Sequence, residues 1–192
     1  RSLIGTFTSL WNEFAEGCTA YVNMIKQAET AIDIAGELLS AEKLTQDEYD
    51  ATYAAYLEVW NIFATGSYTT EEAIEMPVLK ALGLVPTIDE NGVYLINGNF
   101  DMAYYTRIAG SAGKAVNAKL MADIDYFTEK QMMEDFYGEL DGDFHTITVN
   151  IKRNARGAAL INNMRDGACV KNLNIQGDVY NTDKFATAIA AN

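Results

Sequence analysis

The chain has 192 residues, enough for one domain of ordinary size or two small ones. Hydrophobic residues make up 49% and charged residues 21%, the balance of a globular protein rather than a disordered one. A net charge of −13 repels phosphate backbones and anionic lipid surfaces, which argues against nucleic acid and against an anionic membrane face as partners.

No apolar run approaches the roughly 18 residues that span a bilayer, so no membrane span is expected in this chain. Cys18 and Cys169 form no disulfide framework and no zinc-type spacing, and both read as small buried hydrophobes. No cofactor is implied. The chain opens at Arg1 with no visible signal peptide, which suggests a removed targeting segment or an excerpt.

In chain order, apolar residues first recur at helical spacing: Leu3, Phe7, Leu10, Phe14, Cys18, Tyr21, Ile25, Ala28, Ile32, Ala35 and Leu39. The extra step of four at Phe14–Cys18 contains Gly17, which predicts a bend or break there. Thr45 and Glu48 make a capping box, with Leu44 and Tyr49 as its hydrophobic staple. The helix they open carries Tyr49, Tyr53, Tyr56, Trp60 and Phe63 as a core-facing stripe and stops at Gly66. Thr69 and Glu72 make a second box, Pro77 marks a short final turn, and Gly83 with Pro86 closes it. Arg1–Leu84 therefore reads as a helical hairpin or three-helix bundle, and Val85–Gly92, with Asn91-Gly92, as a linker.

Past the linker the hydrophobic period falls from 3.6 to 2. Val93–Ile96 reads as a short strand. Asn97–Asn99 caps a brief helix bearing Phe100, Ala103, Tyr104 and Ile108. A second strand covers Ala118 to Asp125, where Ala118, Leu120, Ala122 and Ile124 alternate with Lys119, Met121, Asp123 and Asp125 on the outward face. Asp141-Gly142 then makes a turn that exploits the positive φ glycine allows. His145, Ile147, Val149 and Ile151 follow it on one inward face of a strand. Short strands with asparagine at the corners suggest a winding sheet in which Asn172 and Asn174 stack.

Four blocks carry a resemblance: Tyr94–Ile96 with its helix, Asn117–Asp125, Phe136–Ile147 and Gly167–Val179. In order and spacing they resemble GLUG-motif bacterial surface proteins, over roughly Val93–Val179. The resemblance implies a repetitive β-solenoid, secreted or displayed on the bacterial cell surface. It also implies adhesion, with glycans or host and cell-surface proteins as partners. Combined with the periodicity, the expected fold is α+β: the helical bundle, then a short right-handed β-solenoid segment with a capping helix over Val93–Asn192.

The expected structural positions are Gly138, Leu140, Asp141, Gly142, His145, Ile147, Asn172, Leu173 and Gly177. His145, the only histidine, is expected to be buried and to lock the turn by hydrogen bonds. Candidate ligand contacts are Tyr105, Asp123, Asp125 and Tyr137; Asp141 and Asp143 form a second carboxylate pair, either pair being able to offer oxygens to Ca²⁺. The leading reading is a non-enzymatic adhesin-like module. The alternative is a β-helix-type polysaccharide lyase or glycoside hydrolase, which needs clustered acids with a cation such as Arg165 or Lys171. The tail after Tyr180, with Phe185 and Ile189, reads as the opening of another coil. The chain is accordingly expected to be an excerpt of a longer polypeptide whose last strand pairs with another chain or frays.

Overall fold

The computed structural model describes residues 3–65, 75–154, 157–183 and 185–190, except for the side chains of residues 3–11, 13–14, 16–18 and 75–76. The chain is α+β, helices first and strands after, and it divides into two compact units, Arg1–Val85 and Pro86–Asn192.

In the first unit, α1 (Leu3–Ser40) runs unbroken through Gly17, against the expected bend or break. One interior glycine costs about 1 kcal/mol, less than the several hydrogen bonds that a break would forfeit. Its buried seam is Tyr21, Met24, Ala28, Ala31, Ile34, Ala35 and Leu38. Met24, Ala31 and Leu38 replace the expected Ile25, Ile32 and Leu39, which stay half-buried. The alanines explain the choice, because small side chains let a neighbouring helix approach closely. The expected positions Leu3, Phe7, Leu10, Phe14 and Cys18 have side chains outside the described residues.

Both α2 (Gln46–Thr65) and α3 (Glu75–Ala81) pack on α1. The capping box forms: Thr45 N–H donates to Glu48 Oε2 at 2.8 Å, and Glu48 N–H donates to Thr45 Oγ1 at 3.3 Å. The α2 aromatic stripe is in ring-to-ring contact, stacked at Tyr49–Tyr53 with centroids 6.4 Å apart and edge-to-face at Trp60–Phe63 with centroids 5.8 Å apart. It is not a closed core, however. Tyr53 and Phe63 stay 45% and 44% exposed, and Val59 is the buried residue on this helix. The expected stop at Gly66 and the Thr69–Glu72 box lie outside the described residues. Gly83, at φ +69°, closes the unit as Leu84 N–H returns to Leu79 O at 2.8 Å.

The second unit begins inside the expected linker. There β1 (Thr87–Ile88) pairs antiparallel with β2 (Tyr94–Ile96). Asp89 builds the turn by accepting from Asn91 N–H at 2.8 Å and Val93 N–H at 2.9 Å, which holds its carboxyl below the ordinary range. The expected linker thus holds the first strand and the turn of a hairpin that runs from Thr87 to Ile96.

Next comes α4 (Asn99–Ala109), which packs on β2 and on two later strands. Its buried side is Met102, Ala103, Tyr104, Tyr105, Thr106 and Ala109, rather than Phe100 and Ile108. Gly98 stands at its cap, and Asn97 N–H donates to Asp101 Oδ2 at 2.8 Å.

The expected single strand at Ala118–Asp125 is two: β3 (Ala118–Leu120) and β4 (Ile124–Thr128), in different sheets. They are followed by β5 (Met133–Phe136), β6 (Glu139–Asp141), β7 (Thr146–Arg153), β8 (Ile161–Met164), β9 (Cys169–Lys171) and β10 (Asn174–Asn181).

Among the described residues these strands form three sheets, ordered β1-β2-β3-β6-β9, β10-β7-β4 and β5-β8. Every pair after β1–β2 is parallel, and each strand from β3 to β7 pairs with the strand three places later. The tail continues the third sheet, with parallel bridges Ala158↔Ala186 and Ile161↔Ala190.

One apolar cluster draws on all three sheets and α4. Leu120, Ile124, Phe127, Phe136, Leu140, Ile147 and Ile161 are essentially inaccessible within it. The cluster thins toward the last strands, where Val170, Leu173, Ile175 and Val179 are only partly buried and Tyr180 is 58% exposed.

Candidate functional site

The chemistry-bearing residues gather at the turns that carry the chain from the first sheet to the second. Register brings Lys119, Asp141 and Lys171 side by side across β3, β6 and β9. This row alternates in charge. Lys171 Nζ lies 2.8 Å from Glu139 and 3.5 Å from Asp141, and Lys119 Nζ lies 3.0 Å from Asp143. Glu139, followed by Asp141, raises the Lys171 pKa. The Asp141 carboxyl is held low chiefly by the Asp143 N–H at 3.0 Å, helped by the Asn172 amide at 3.1 Å and by Lys171.

The turn itself differs from the expectation at two points. Gly142 is not among the positive-φ residues, which are Asp143 (φ 44°), Phe144 (φ 67°) and, on the next turn, Asn172 (φ 49°). Glycine is needed at 142 for room. A Cβ there would lie 2.5 Å from the Asn172 carbonyl oxygen and 2.6 Å from Leu173 Cα, both backbone of the adjacent turn. Gly138 and Gly177 meet the same constraint, since a Cβ at either would overlap the Val116 or Val149 carbonyl. Leu140 and Ile147 are core residues with no exposure, and Leu173 packs against that core.

The expected asparagine stack is also replaced. Asn172 donates to Asp141, and Asn174 Nδ2 donates to the Phe144 carbonyl at 2.6 Å. Each asparagine therefore binds the preceding turn rather than the other asparagine, because their amides stand beside different parts of it.

His145 is half-exposed at 35%, not buried, since it ends the turn just before β7 enters the core. Its Nδ1 lies 3.2 Å from Asp123 Oδ1, and that same oxygen accepts the Thr146 N–H at 2.9 Å. These contacts, the Thr146 N–H first, keep the Asp123 carboxyl below its usual range. Asp125 faces elsewhere and accepts from Asn99 Nδ2 at 2.6 Å. The two aspartates of β4 and the turn before it are therefore not a joint site.

Tyr105 is corrected as a ligand contact. It is 0% exposed, donates to the Val116 carbonyl at 3.0 Å, and burial pushes its hydroxyl pKa upward. Tyr137 is half-buried between β5 and β6.

Two further acid–arginine pairs involve β5 of the third sheet. Glu134 binds Arg153 at 3.2 Å and Asn162 at 2.6 Å, and Asp135 binds Arg165 Nε at 3.0 Å. Arg165 is thus committed away from Asp123 and Asp141. Among the described residues no group of three or more His, Cys, Asp or Glu side chains converges as a metal ion requires. No described helix is long and apolar enough to cross a membrane.

Sequence reasoning passed over Phe144, the most exposed large apolar residue described, at 74%. A signal was present. Between the register pairs Asp141↔Lys171 and Thr146↔Asn174, one turn carries Gly142, Asp143, Phe144 and His145 where the next carries only Asn172 and Leu173. The longer turn must bulge outward. No family model, curated protein or solved structure matches this chain.

Proposed function

We propose that Pro86–Asn192 is a short right-handed β-solenoid covered at one end by α4. In this reading the chain serves as a non-enzymatic, adhesin-like module of a secreted or surface-displayed bacterial protein of the GLUG-motif kind, with glycans as its partners. The observation that carries the winding is the pairing rule. Strands three places apart run parallel in three sheets around one core, which is what successive circuits of a solenoid produce. Right-handedness follows from the general preference of parallel crossovers, which hold that hand in about 98% of cases.

The adhesin reading is supported by how the turn carboxylates are used. Asp123 and Asp141 each bind backbone N–H groups, and Asp123 with His145 and Asp141 with Asn172 and Lys171 tie one turn to the next. That is the work of corner residues in a scaffold. An acid pair for lyase or hydrolase chemistry needs one carboxylate free to move a proton.

The test is to incubate the protein with neutral and acidic polysaccharides, measure retention on each, and assay for new reducing ends or unsaturated products. Retention on neutral glycans without product is the expected result. Product release would replace the adhesin reading with the enzyme reading.

A further inference from the structure

Phe144 is an exposed aromatic ring on a backbone that is both strained and fixed. Its φ of 67° is the left-handed region, which costs a bulky L-residue steric energy and is seldom occupied by one. Yet both of its peptide groups are held: its N–H donates to Asn172 O at 2.7 Å, and its carbonyl accepts from Asn174 Nδ2 at 2.6 Å. The residue gains little burial in return, being 74% exposed on the longer turn. Strain retained without packing is commonest where a protein presents a group to a ligand. A rigid ring also binds with little loss of conformational entropy.

The surroundings decide what such a ring receives. The next residue, His145, holds Asp123, whose side chain is 71% exposed and whose described contacts both fall on Oδ1. The preceding residue, Asp143, matches the charge of Lys119 at 3.0 Å. The chain as a whole carries −13. A bare ring face is electronegative, and a carboxylate held by the next two residues, in an acidic field, favours a cation over an anion.

We propose that the turn at Phe144, with Asp123, is a docking point for an arginine side chain of a partner protein. The guanidinium stacks on the ring and directs N–H donors at the outer oxygen of Asp123. Arginine suits both roles, because its planar, weakly hydrated head stacks on aromatic faces and hydrogen-bonds to carboxylates at once. This contact is independent of the glycan reading, whose failure would leave it standing.

The test is a two-dimensional amide NMR titration of the whole chain with Gly-Arg-Gly amide, and with the neutral isostere Gly-citrulline-Gly amide, at low salt. Millimolar arginine peptide is expected to shift the amides of Asp123, Ile124 and Asp143–Thr146, with no matching response to citrulline. Phe144→Ala is expected to weaken the response about two- to five-fold while leaving the unfolding temperature unchanged. Phe144→Trp is expected to strengthen it. Equal responses to the two peptides, shifts spread over other acidic turns, or an Ala variant that binds as well as the parent would each overturn the proposal. So would an Ala variant of lowered unfolding temperature, since the ring would then be packing the fold.

Discussion

Adding one methyl group at Gly142 tests whether adjacent turns are in contact through their backbones. The new Cβ of Gly142→Ala would sit 2.5 Å from Asn172 O and 2.6 Å from Leu173 Cα, where ordinary contact begins at 3.4 Å. Neither neighbour is the end of a flexible side chain, so the two turns must separate by most of an ångström. Hydrogen bonds that span that gap include Gly142 N–H to Lys171 O at 2.9 Å, Phe144 N–H to Asn172 O at 2.7 Å, Asn172 to Asp141 at 3.1 Å and Asn174 to Phe144 O at 2.6 Å. Overpacking of this kind costs typically 1–3 kcal/mol, and each stretched bond adds a fraction of its roughly 1 kcal/mol. A loss of about 3–4 kcal/mol is expected. Gly113→Ala is the control, because its Cβ meets nothing within 4 Å and only its φ of +62° opposes the change, at about 1–2 kcal/mol. The assay is hydrogen exchange of the Thr146–Arg153 amides in both variants, which reads the opening free energy of β7 directly. If Gly142→Ala costs no more than the control, the close approach of the two turns is wrong.

Other consequences are open to measurement. Tyr105→Phe strands the Val116 carbonyl and should cost about 1–2 kcal/mol by denaturant unfolding; a neutral result would mean water already serves that carbonyl. Thr45→Ala removes the α2 cap and should cost about 1 kcal/mol, while Thr45→Ser should restore most of it. Asp89, Asp123 and Asp141 have depressed pKa values, so their contribution is present above the usual carboxylate pKa of about 4 and is lost as pH falls through the folded values. Acid should therefore lower the unfolding temperature, and Asp123→Asn with Asp141→Asn should flatten that fall. Asp101, raised by burial, works in the opposite sense, and its contribution declines as pH rises.

How much of this was legible beforehand depended on the range of each signal. The capping box at Thr45 and the helix-closing Gly83 are local devices, and they form as read. The corner at Met121–Asp123 was invisible for a physical reason. Buried and exposed positions keep the same alternation through it, so the pattern of a bent pair of strands equals that of one straight strand. The pairing of His145 with Asp123 is contact across 22 residues, and periodicity carries no information about which turn lies beside which. The same holds for Gly142, whose requirement arises from a neighbouring backbone. The burial of Tyr105 was hidden because helical spacing puts only its neighbour Tyr104 in line with Ala103 and Phe100, whereas later strands pack around α4 and bury both tyrosines.

The pairing of strands three places apart also bears on how the protein reaches its native state. In Pro86–Asn192, β1–β2 is the only ladder closed by a short turn among the described residues; β2–β3 also joins consecutive strands, but across α4. Every other ladder must first close a connection of twenty residues or more, such as Ala118↔Leu140 or Leu140↔Val170. Loop closure of that kind is an entropic toll collected before the hydrogen bonds compensate for it, and such topologies fold in about milliseconds to seconds. Helices close their bonds locally, and helical bundles form in about microseconds to milliseconds. The two halves of the polypeptide thus belong to different kinetic regimes, and the strands should assemble by zipping outward from the short β1–β2 hairpin and α4.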